Sequence, residues 1–250
     1  MIKNYINETF YFIKDGERFS NGATELLNGV HPEGVFFADN LLTWGKGLAF
    51  VKDKYFMDAV LANDPTPVEL SLLWRQHVLC WAAKQCSRLE GDFVEAGCYK
   101  GFTAKLISDY VEFDKHPRKT YYLYDAFEHS ADMAHHAMPD HGEGLYAQVC
   151  RRFSKYQNVR VIKGLVPDSF LQGVPERVAF MHIDMNNAPA EIAVLDVLYD
   201  RLLPGGMIVF DDYGWLGYHP QQEAEDLWLS SRGAERILEL PTGQGLLVKM

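Results

Sequence analysis

The chain has 250 residues, 48% of them hydrophobic and 23% charged, so it can bury the core of one large domain or of a domain with an accessory segment. Its formal net charge of -10, from 34 acidic and 24 basic residues, offers no basic surface for a phosphate backbone and disfavours nucleic acid as a partner. Residues 1–10 lack an apolar signal core and no apolar stretch approaches the roughly 20 residues that span a bilayer, so we expect a cytoplasmic protein without a membrane partner that acts on a small molecule.

The amino-terminal quarter carries many turn signals, such as Asp15-Gly16 and Asn21-Gly22, and little clear periodicity. We interpret residues 1–64 as an irregular cap segment that shapes the substrate site, and residues 65–250 as the main domain. Thr66-Pro67-Val68-Glu69 has the form of a capping box with proline at the first helical position. Apolar residues continue at helical spacing, which predicts one helix from residue 66 to about residue 88.

After residue 90 the periodicity alternates between strand and helix, which is typical of an α/β protein with a parallel sheet. Strands are predicted over residues 92–97, 120–125, 159–164, 178–184 and 206–212. Helices are predicted over about 101–112, 144–156, 167–171, from Pro189 to a stop at Pro204-Gly205-Gly206, and from Pro220 to Gly233. Two short apolar runs, 236–241 and 244–249, predict a closing antiparallel hairpin. Residues 126–142, which contain His129, His135, His136 and His141, are interpreted as a lid-like insertion.

The four cysteines, Cys80, Cys86, Cys98 and Cys150, show neither a paired framework nor CxxC spacing. Free, buried thiols are therefore expected in preference to disulfides or zinc ligands.

Three carboxylates stand at the ends of two apolar strands: Asp184 ends one, and the pair Asp211-Asp212 ends the next. Because the two strands flank a single helix, they should be parallel and adjacent, with their carboxyl ends at the edge where open α/β sheets bind ligands. Adjacent carboxylates repel each other, and a hard cation such as Mg²⁺ or Mn²⁺ removes that repulsion. The alternative is that Asp184 caps the following helix and that Asp211-Asp212 only forms a turn.

The first strand of the main domain ends in Glu95-Ala-Gly97, followed by Gly101. Glycines at this turn let the backbone pass close to a ligand, and the acid favours a cationic amine and sulfonium over a phosphate. Asp125, at the end of the second strand, is placed to bind ribose hydroxyls; the alternative is an ordinary helix-cap or turn aspartate. Gly164, after the third strand, would lie near an adenine ring.

These residues resemble the magnesium- and S-adenosylmethionine-dependent O-methyltransferases of the macrocin and mycinamicin type. The matching stretches are residues 91–101, 124–128, 161–170, 182–186 and 204–214, and together they cover the chain from about residue 66 onward. The resemblance implies a class I methyltransferase (Rossmann-like) fold: a mostly parallel seven-stranded sheet that ends in an antiparallel hairpin, with helices on both faces.

The resemblance also implies the roles of individual residues. Asp184, Asp211 and Asp212 would bind Mg²⁺ (or Mn²⁺). Asp184 is also the candidate catalytic base, because its position at the strand end puts it between the cofactor and the metal. The candidate residues for binding S-adenosylmethionine are Glu95, Gly97, Cys98, Tyr99, Gly101, Thr103, Asp125, Ala126, Gly164 and Asp184. His182, two residues before Asp184, shares its side of the strand but is left out of the catalytic set.

We therefore expect an O-methyltransferase that acts on a hydroxyl of a small molecule, with a sugar of a natural product as one candidate acceptor. Two alternatives stay open. One is a nicotinamide-dependent sugar oxidoreductase, which the missing GxGxxG motif disfavours. The other is a non-catalytic binding protein on a methyltransferase-like fold. The sequence does not decide whether the chain forms a homo-oligomer.

Overall fold

The computed structural model describes residues 10–131, 133 and 137–250. By backbone contacts the chain divides into two compact units, Met1–His77 and Val78–Met250. The division falls within helix α5 (Leu73–Cys86). The boundary after residue 64 that the sequence suggests stays a prediction.

The first unit is not irregular, so that prediction is wrong. It contains, in chain order, α1 (Gly16–Gly29), β1 (Phe36–Ala38), β2 (Leu41–Thr43), α2 (Ala49–Lys52), α3 (Lys54–Leu61) and α4 (Pro67–Ser71). Asp39 and Asn40 join the two strands with φ of 54° and 53°, which is the two-residue turn that suits a tight hairpin. Most of these elements are too short for a hydrophobic period to show in the sequence.

The predicted helix that begins at Thr66 is present, but it is interrupted. Its capping box is confirmed: the Thr66 hydroxyl accepts from the Glu69 N–H at 3.2 Å, and the Glu69 carboxylate accepts from the Thr66 N–H at 2.6 Å. The Ser71 hydroxyl then donates to the Val68 carbonyl at 2.6 Å. Such local bonding competes with the helical ladder, and α4 ends before Leu72, where α5 follows at once.

The second unit confirms the predicted alternation of strands and helices. Its elements after α5 are β3 (Asp92–Ala96), α6 (Phe102–Tyr110), β4 (Tyr121–Asp125), α7 (Leu145–Arg152), β5 (Val159–Lys163), β6 (Val178–Ile183), α8 (Ala188–Leu198), β7 (Leu202–Phe210), α9 (His219–Ser231), β8 (Leu238–Glu239) and β9 (Gly245–Val248). The short helix expected near residue 167 is a 3-10 turn over Asp168–Gln172. In the described part of residues 126–142 there is no helix or strand, and His135 and His136 lie outside the described residues.

Seven strands form one sheet in the order β5-β4-β3-β6-β7-β9-β8. The first five are parallel and the last two pair antiparallel, as predicted. β4 and β6 are buried along their whole length. The two acid-bearing strands, β6 and β7, are neighbours in parallel register, so their carboxyl ends meet at one edge of the sheet.

Two details of the acidic strands differ from expectation. Pro204-Gly205-Gly206 does not stop a helix: α8 ends at Leu198, and these residues lie within β7, where the register with β6 is irregular. A Cβ on Gly206 would lie 2.9 Å from the Ala179 carbonyl oxygen, so the two strands approach closely there. The cap of α8 is Asn187, whose side chain accepts from the Ala190 N–H at 3.0 Å, and it is not Asp184.

All four cysteines are free, as predicted; three are buried and Cys150 is half-buried. None of the helices in the described ranges combines the length and the apolar character needed to cross a membrane.

Candidate active site

The carboxyl ends of β3 and β6 meet at Gly97 and Asp184. Gly97 has φ of +89°, and a Cβ at this position would lie 1.7 Å from the Asp184 carbonyl oxygen. The Asp184 N–H donates to the Ala96 carbonyl at 2.8 Å, and the Gly97 N–H donates to the Tyr124 carbonyl at the same distance. Gly97 is therefore required by the approach of the two strands, which is a stricter reason than access for a ligand.

A cavity of about 530 Å³ opens at these strand ends. Of the predicted cofactor residues, those that line it are Gly97, Tyr99, Asp125, Ala126, Gly164 and Asp184. Four others do not line it: Glu95, Cys98, Gly101 and Thr103. Gly101 instead makes room for α7, because a Cβ there would lie 2.8 Å from the Phe153 ring.

Asp125 is held in place at the wall of this cavity. Its Oδ2 accepts from the Tyr99 N–H at 2.7 Å and its Oδ1 accepts from the Phe127 N–H at 2.6 Å. Each carboxylate oxygen has a second lone pair, so these two bonds fix the side chain without using up its capacity to accept. A carboxylate fixed in this way can accept from the two hydroxyls of a ribose.

Sequence reasoning did not identify most of the remaining cavity wall. Its residues come from two strand exits and from the described part of the lid-like insertion: Leu165, Val166 and Pro167 after β5, Met185, Asn186 and Asn187 after β6, and Met133, Met138 and His141. Pro189, Ala190 and Ala193 of α8 add to it. These residues are mostly apolar and have no motif spacing, so only their place in the fold marks them.

Glu95 does not line the cavity. It belongs to a row of three ionisable side chains: Glu95 on β3, His182 on β6 and Asp211 directly after β7. It is 1% exposed and accepts from the Tyr121 hydroxyl at 2.9 Å. His182, also 1% exposed, lies with Nδ1 3.5 Å from Glu95 and Nε2 3.5 Å from Asp211. Burial lowers the pKa of His182, but the contacts with Asp211 and Glu95 outweigh burial and raise the pKa well above its usual value. At 3.5 Å these are charge contacts more than hydrogen bonds.

The side chains of His182, Asp184 and Asp211 form a group whose potential ligand atoms lie within 4.8 Å of one another. Asp212 is the next residue along but is not part of this group. Burial, followed by the charges of Asp211 and Asp212, raises the pKa of Asp184 well above its usual value. Such crowding of carboxylates at a half-buried edge fits a divalent cation that takes oxygen ligands.

The sheet order, the cavity at its carboxyl edge and the acids beside it define a class I methyltransferase. Solved structures with this fold include the O-methyltransferase NovP, at 17% identity and a TM-score of 0.62 over 74% of this chain and 82% of NovP. The calicheamicin methyltransferase CalS11 is 14% identical, with a TM-score of 0.57 over 79% of this chain and 92% of CalS11. A caffeoyl-CoA O-methyltransferase-like protein from Staphylococcus aureus is 11% identical, with a TM-score of 0.51 over 92% of this chain and 98% of that protein.

The chain belongs to the macrocin O-methyltransferase (TylF) family, whose sequence model matches residues 76–232. It is therefore an S-adenosylmethionine-dependent O-methyltransferase, the first of the three functions that the sequence left open. Curated protein sequences give no significant match to the chain.

Proposed function

We propose that this enzyme transfers the methyl group of S-adenosylmethionine to a sugar hydroxyl of a natural product or its precursor, with Mg²⁺ or Mn²⁺ bound at the acidic edge of the sheet. The sugar is suggested by relatives in fold: a solved structure of CalS11, 14% identical to this chain, is described as a TDP-rhamnose 3'-O-methyltransferase of calicheamicin biosynthesis.

One observation carries the proposal: Asp184 belongs both to the cavity wall and to the group of possible metal ligands. The cavity side of Asp184 holds Asp125 and Gly164, the residues expected to bind ribose and adenine. Asp211 and His182 lie close to the same carboxylate, with possible ligand atoms within 4.8 Å of one another. A methyl donor and a cation-binding site are thereby brought to a single carboxylate, which is the arrangement that positions a hydroxyl next to a sulfonium methyl group.

The roles of the residues follow from these positions. Asp125 binds the ribose of the cofactor, and the apolar wall, including Leu165 and Met138, excludes water from the reacting groups. A divalent cation, when bound, would offset the negative charge of the cluster and act as a Lewis acid toward the acceptor hydroxyl. Asp184, at the wall of the cavity, holds the proton that the hydroxyl loses as its oxygen displaces the methyl group from sulfur.

Calorimetric titration of the enzyme with S-adenosylmethionine, with and without Mg²⁺, tests the two halves of the proposal. We expect cofactor binding without metal, and separate, saturable binding of Mn²⁺. An assay for transfer of labelled methyl groups to a panel of nucleotide-linked deoxysugars then tests the acceptor class. Absence of cofactor binding would contradict the whole proposal, and transfer that is indifferent to chelators would contradict the metal.

A further inference from the structure

The hairpin at the carboxyl side of the sheet contains a turn, Thr242-Gly243-Gln244, that neither the cofactor pocket nor the acidic cluster explains. The turn is tight: the Gly243 N–H donates to the Leu240 carbonyl at 2.9 Å, and the Leu240 N–H donates to the Gln244 carbonyl at 2.8 Å. Thr242 is 4% exposed and Gln244 is completely buried. Two buried polar side chains in a hairpin turn need partners, and those partners identify what the turn does.

Gln244 reaches the acidic cluster. Its Nε2 donates to Asp211 Oδ1 at 2.9 Å, and its Oε1 accepts from the Thr242 hydroxyl at 3.0 Å. This orientation of the amide is the one that the chemistry requires, because an ionised carboxylate only accepts and a hydroxyl can donate to Oε1. The two hydrogen bonds therefore form a series in which Thr242 donates to Gln244 and Gln244 donates to Asp211.

The same turn also supports the loop that follows Asp211. The Gly214 N–H donates to the Gly243 carbonyl at 2.7 Å. Gly243 has φ of +82°, and a Cβ there would lie 2.1 Å from Nε1 of Trp215, so only glycine lets the indole pack against the turn. Backbone, ring and amide contacts thus join one hairpin turn to residues 211–215.

Asp211 Oδ1 lies 2.9 Å from Gln244 Nε2 and 3.5 Å from His182 Nε2. The contact with Gln244 is the shorter of these and has the length of a good hydrogen bond, so it helps to orient the carboxylate. A metal ligand that is oriented by a hydrogen bond from a neighbouring residue binds the metal more tightly than one that must be ordered at the moment of binding.

We propose that Gln244 is a positioning residue for the metal site, and that its amide, oriented by Thr242, holds Asp211 in the conformation that binds a divalent cation. This inference rests on the proposed function, because it assumes that Asp211 is a metal ligand. It gives the turn Thr242-Gly243-Gln244 a task in the reaction.

The test is the affinity of the full chain for Mn²⁺, measured by the electron paramagnetic resonance signal of the free ion. Gln244→Met keeps the length of the side chain and removes the donor, and we expect it to weaken Mn²⁺ binding about tenfold. Thr242→Val leaves Gln244 in place but removes its orienting partner, and we expect a smaller loss in the same direction. Gln148→Met, at an exposed glutamine of α7, serves as the control for the same substitution and should bind Mn²⁺ like the wild type.

Other measurements separate positioning from general damage. The affinity for S-adenosylmethionine should be unchanged in both variants, and the methyl-transfer rate of Gln244→Met should recover toward that of the wild type as Mn²⁺ is raised. Loss of S-adenosylmethionine binding would reveal that Gln244→Met does not fold. In that case the Mn²⁺ affinity of Thr242→Val tests the positioning role of Gln244.

The failure of this inference differs from the failure of the proposed function. If Asp211→Asn abolishes Mn²⁺ binding while Gln244→Met and Thr242→Val bind like the wild type, Gln244 has no positioning role and the metal site stands. If the wild type and Asp211→Asn bind Mn²⁺ equally or not at all, the result contradicts the proposed metal site. It then also contradicts the positioning role of Gln244, which depends on that site.

Discussion

The Tyr99 hydroxyl donates to Asp140 Oδ2 at 2.5 Å and accepts from the Asp140 N–H at 2.9 Å. Lys100 adds an ion pair to the same carboxylate at 2.6 Å, and the His141 ring lies against the Tyr99 ring with centroids 5.5 Å apart. Tyr99 and His141 both line the cavity. The loop after β3 and the end of the lid-like insertion are therefore joined directly beside the cofactor site.

Tyr99→Phe should weaken this connection without changing the shape of the wall. Because the lost contact is a hydrogen bond to a charged, exposed group, we expect S-adenosylmethionine affinity to fall by no more than about fivefold. Calorimetric titration with S-adenosylmethionine measures the change. Tyr55→Phe, at a side chain that is 84% exposed, is the control. Equal affinity in Tyr99→Phe and the wild type would show that the joined segment does not contribute to cofactor binding.

Asp125 and Asp211 should affect different ligands. Asp125→Asn removes one of two short backbone contacts, because an amide nitrogen cannot accept from an N–H, and it also removes the charge facing the cavity. We expect S-adenosylmethionine affinity to fall by at least about tenfold with Mn²⁺ affinity unchanged. Asp211→Asn should do the reverse, because Asp211 lies in the metal group and does not line the cavity. Two titrations on each variant give the result.

Asp114→Asn, at an exposed aspartate away from the cavity, is the control for both titrations. A variant with reduced affinity for both S-adenosylmethionine and Mn²⁺ would indicate that the substitution disrupts the two sites together. That result would contradict separate roles for Asp125 and Asp211.

Gly97→Ala should be severely destabilising. The left-handed φ alone costs a non-glycine residue about 1 kcal/mol or more, and the Cβ would overlap the Asp184 carbonyl oxygen. We expect the free energy of unfolding to fall by at least about 3 kcal/mol, measured by urea denaturation. Gly22→Ala, in the open middle of α1, should be neutral or stabilising by up to about 1 kcal/mol. A mild effect at Gly97 would mean that β3 and β6 can separate at their tips.

Two buried glutamates give the enzyme a pH-dependent stability. Burial raises the pKa of Glu191 on α8 to about 7, and burial together with the charge of Glu191 raises the pKa of Glu225 on α9 to about 10. Both values lie above the 4.5 of an unperturbed glutamate, so the folded protein holds protons that the unfolded chain releases. Stability is greatest below about pH 4.5 for these two groups and falls as the pH rises toward 7 and then 10.

Glu225→Gln removes much of this dependence, since an amide fills the same space without a charge. Urea denaturation at pH 5, 7 and 9 should show a flatter profile and a gain on the order of 2 kcal/mol at pH 9. Glu223→Gln changes an exposed carboxyl on the same helix and should leave the profile of the wild type. A Glu225→Gln profile that parallels the wild type would show that the pair does not hold extra protons in the folded state.

The sequence predicts the sheet of the second unit well, because its strands are apolar runs that end at acids or glycines. Asp184, Asp211 and Asp125 could be placed at strand ends for that reason. The surroundings of the Glu95 side chain could not be predicted. The spacing of a motif does not show whether a strand residue lines a cavity or contacts side chains of the neighbouring strands. His182 and Gln244 reach Asp211 only once strand register and a hairpin turn bring them there, and no local pattern encodes either contact. The short elements of residues 10–72 left too few periods to recognise.

The row Glu95–His182–Asp211 has a further consequence for how the sheet forms. Glu95 and His182 are direct partners across β3 and β6, and Asp211 follows the strand that pairs with His182 on the other side. Shifting either strand by one residue would turn its side chain to the opposite face of the sheet and leave a buried charge without its counterpart. The row therefore penalises misaligned pairing of the three central strands, so the alignment that assembles the reactive edge is also the alignment that folding prefers.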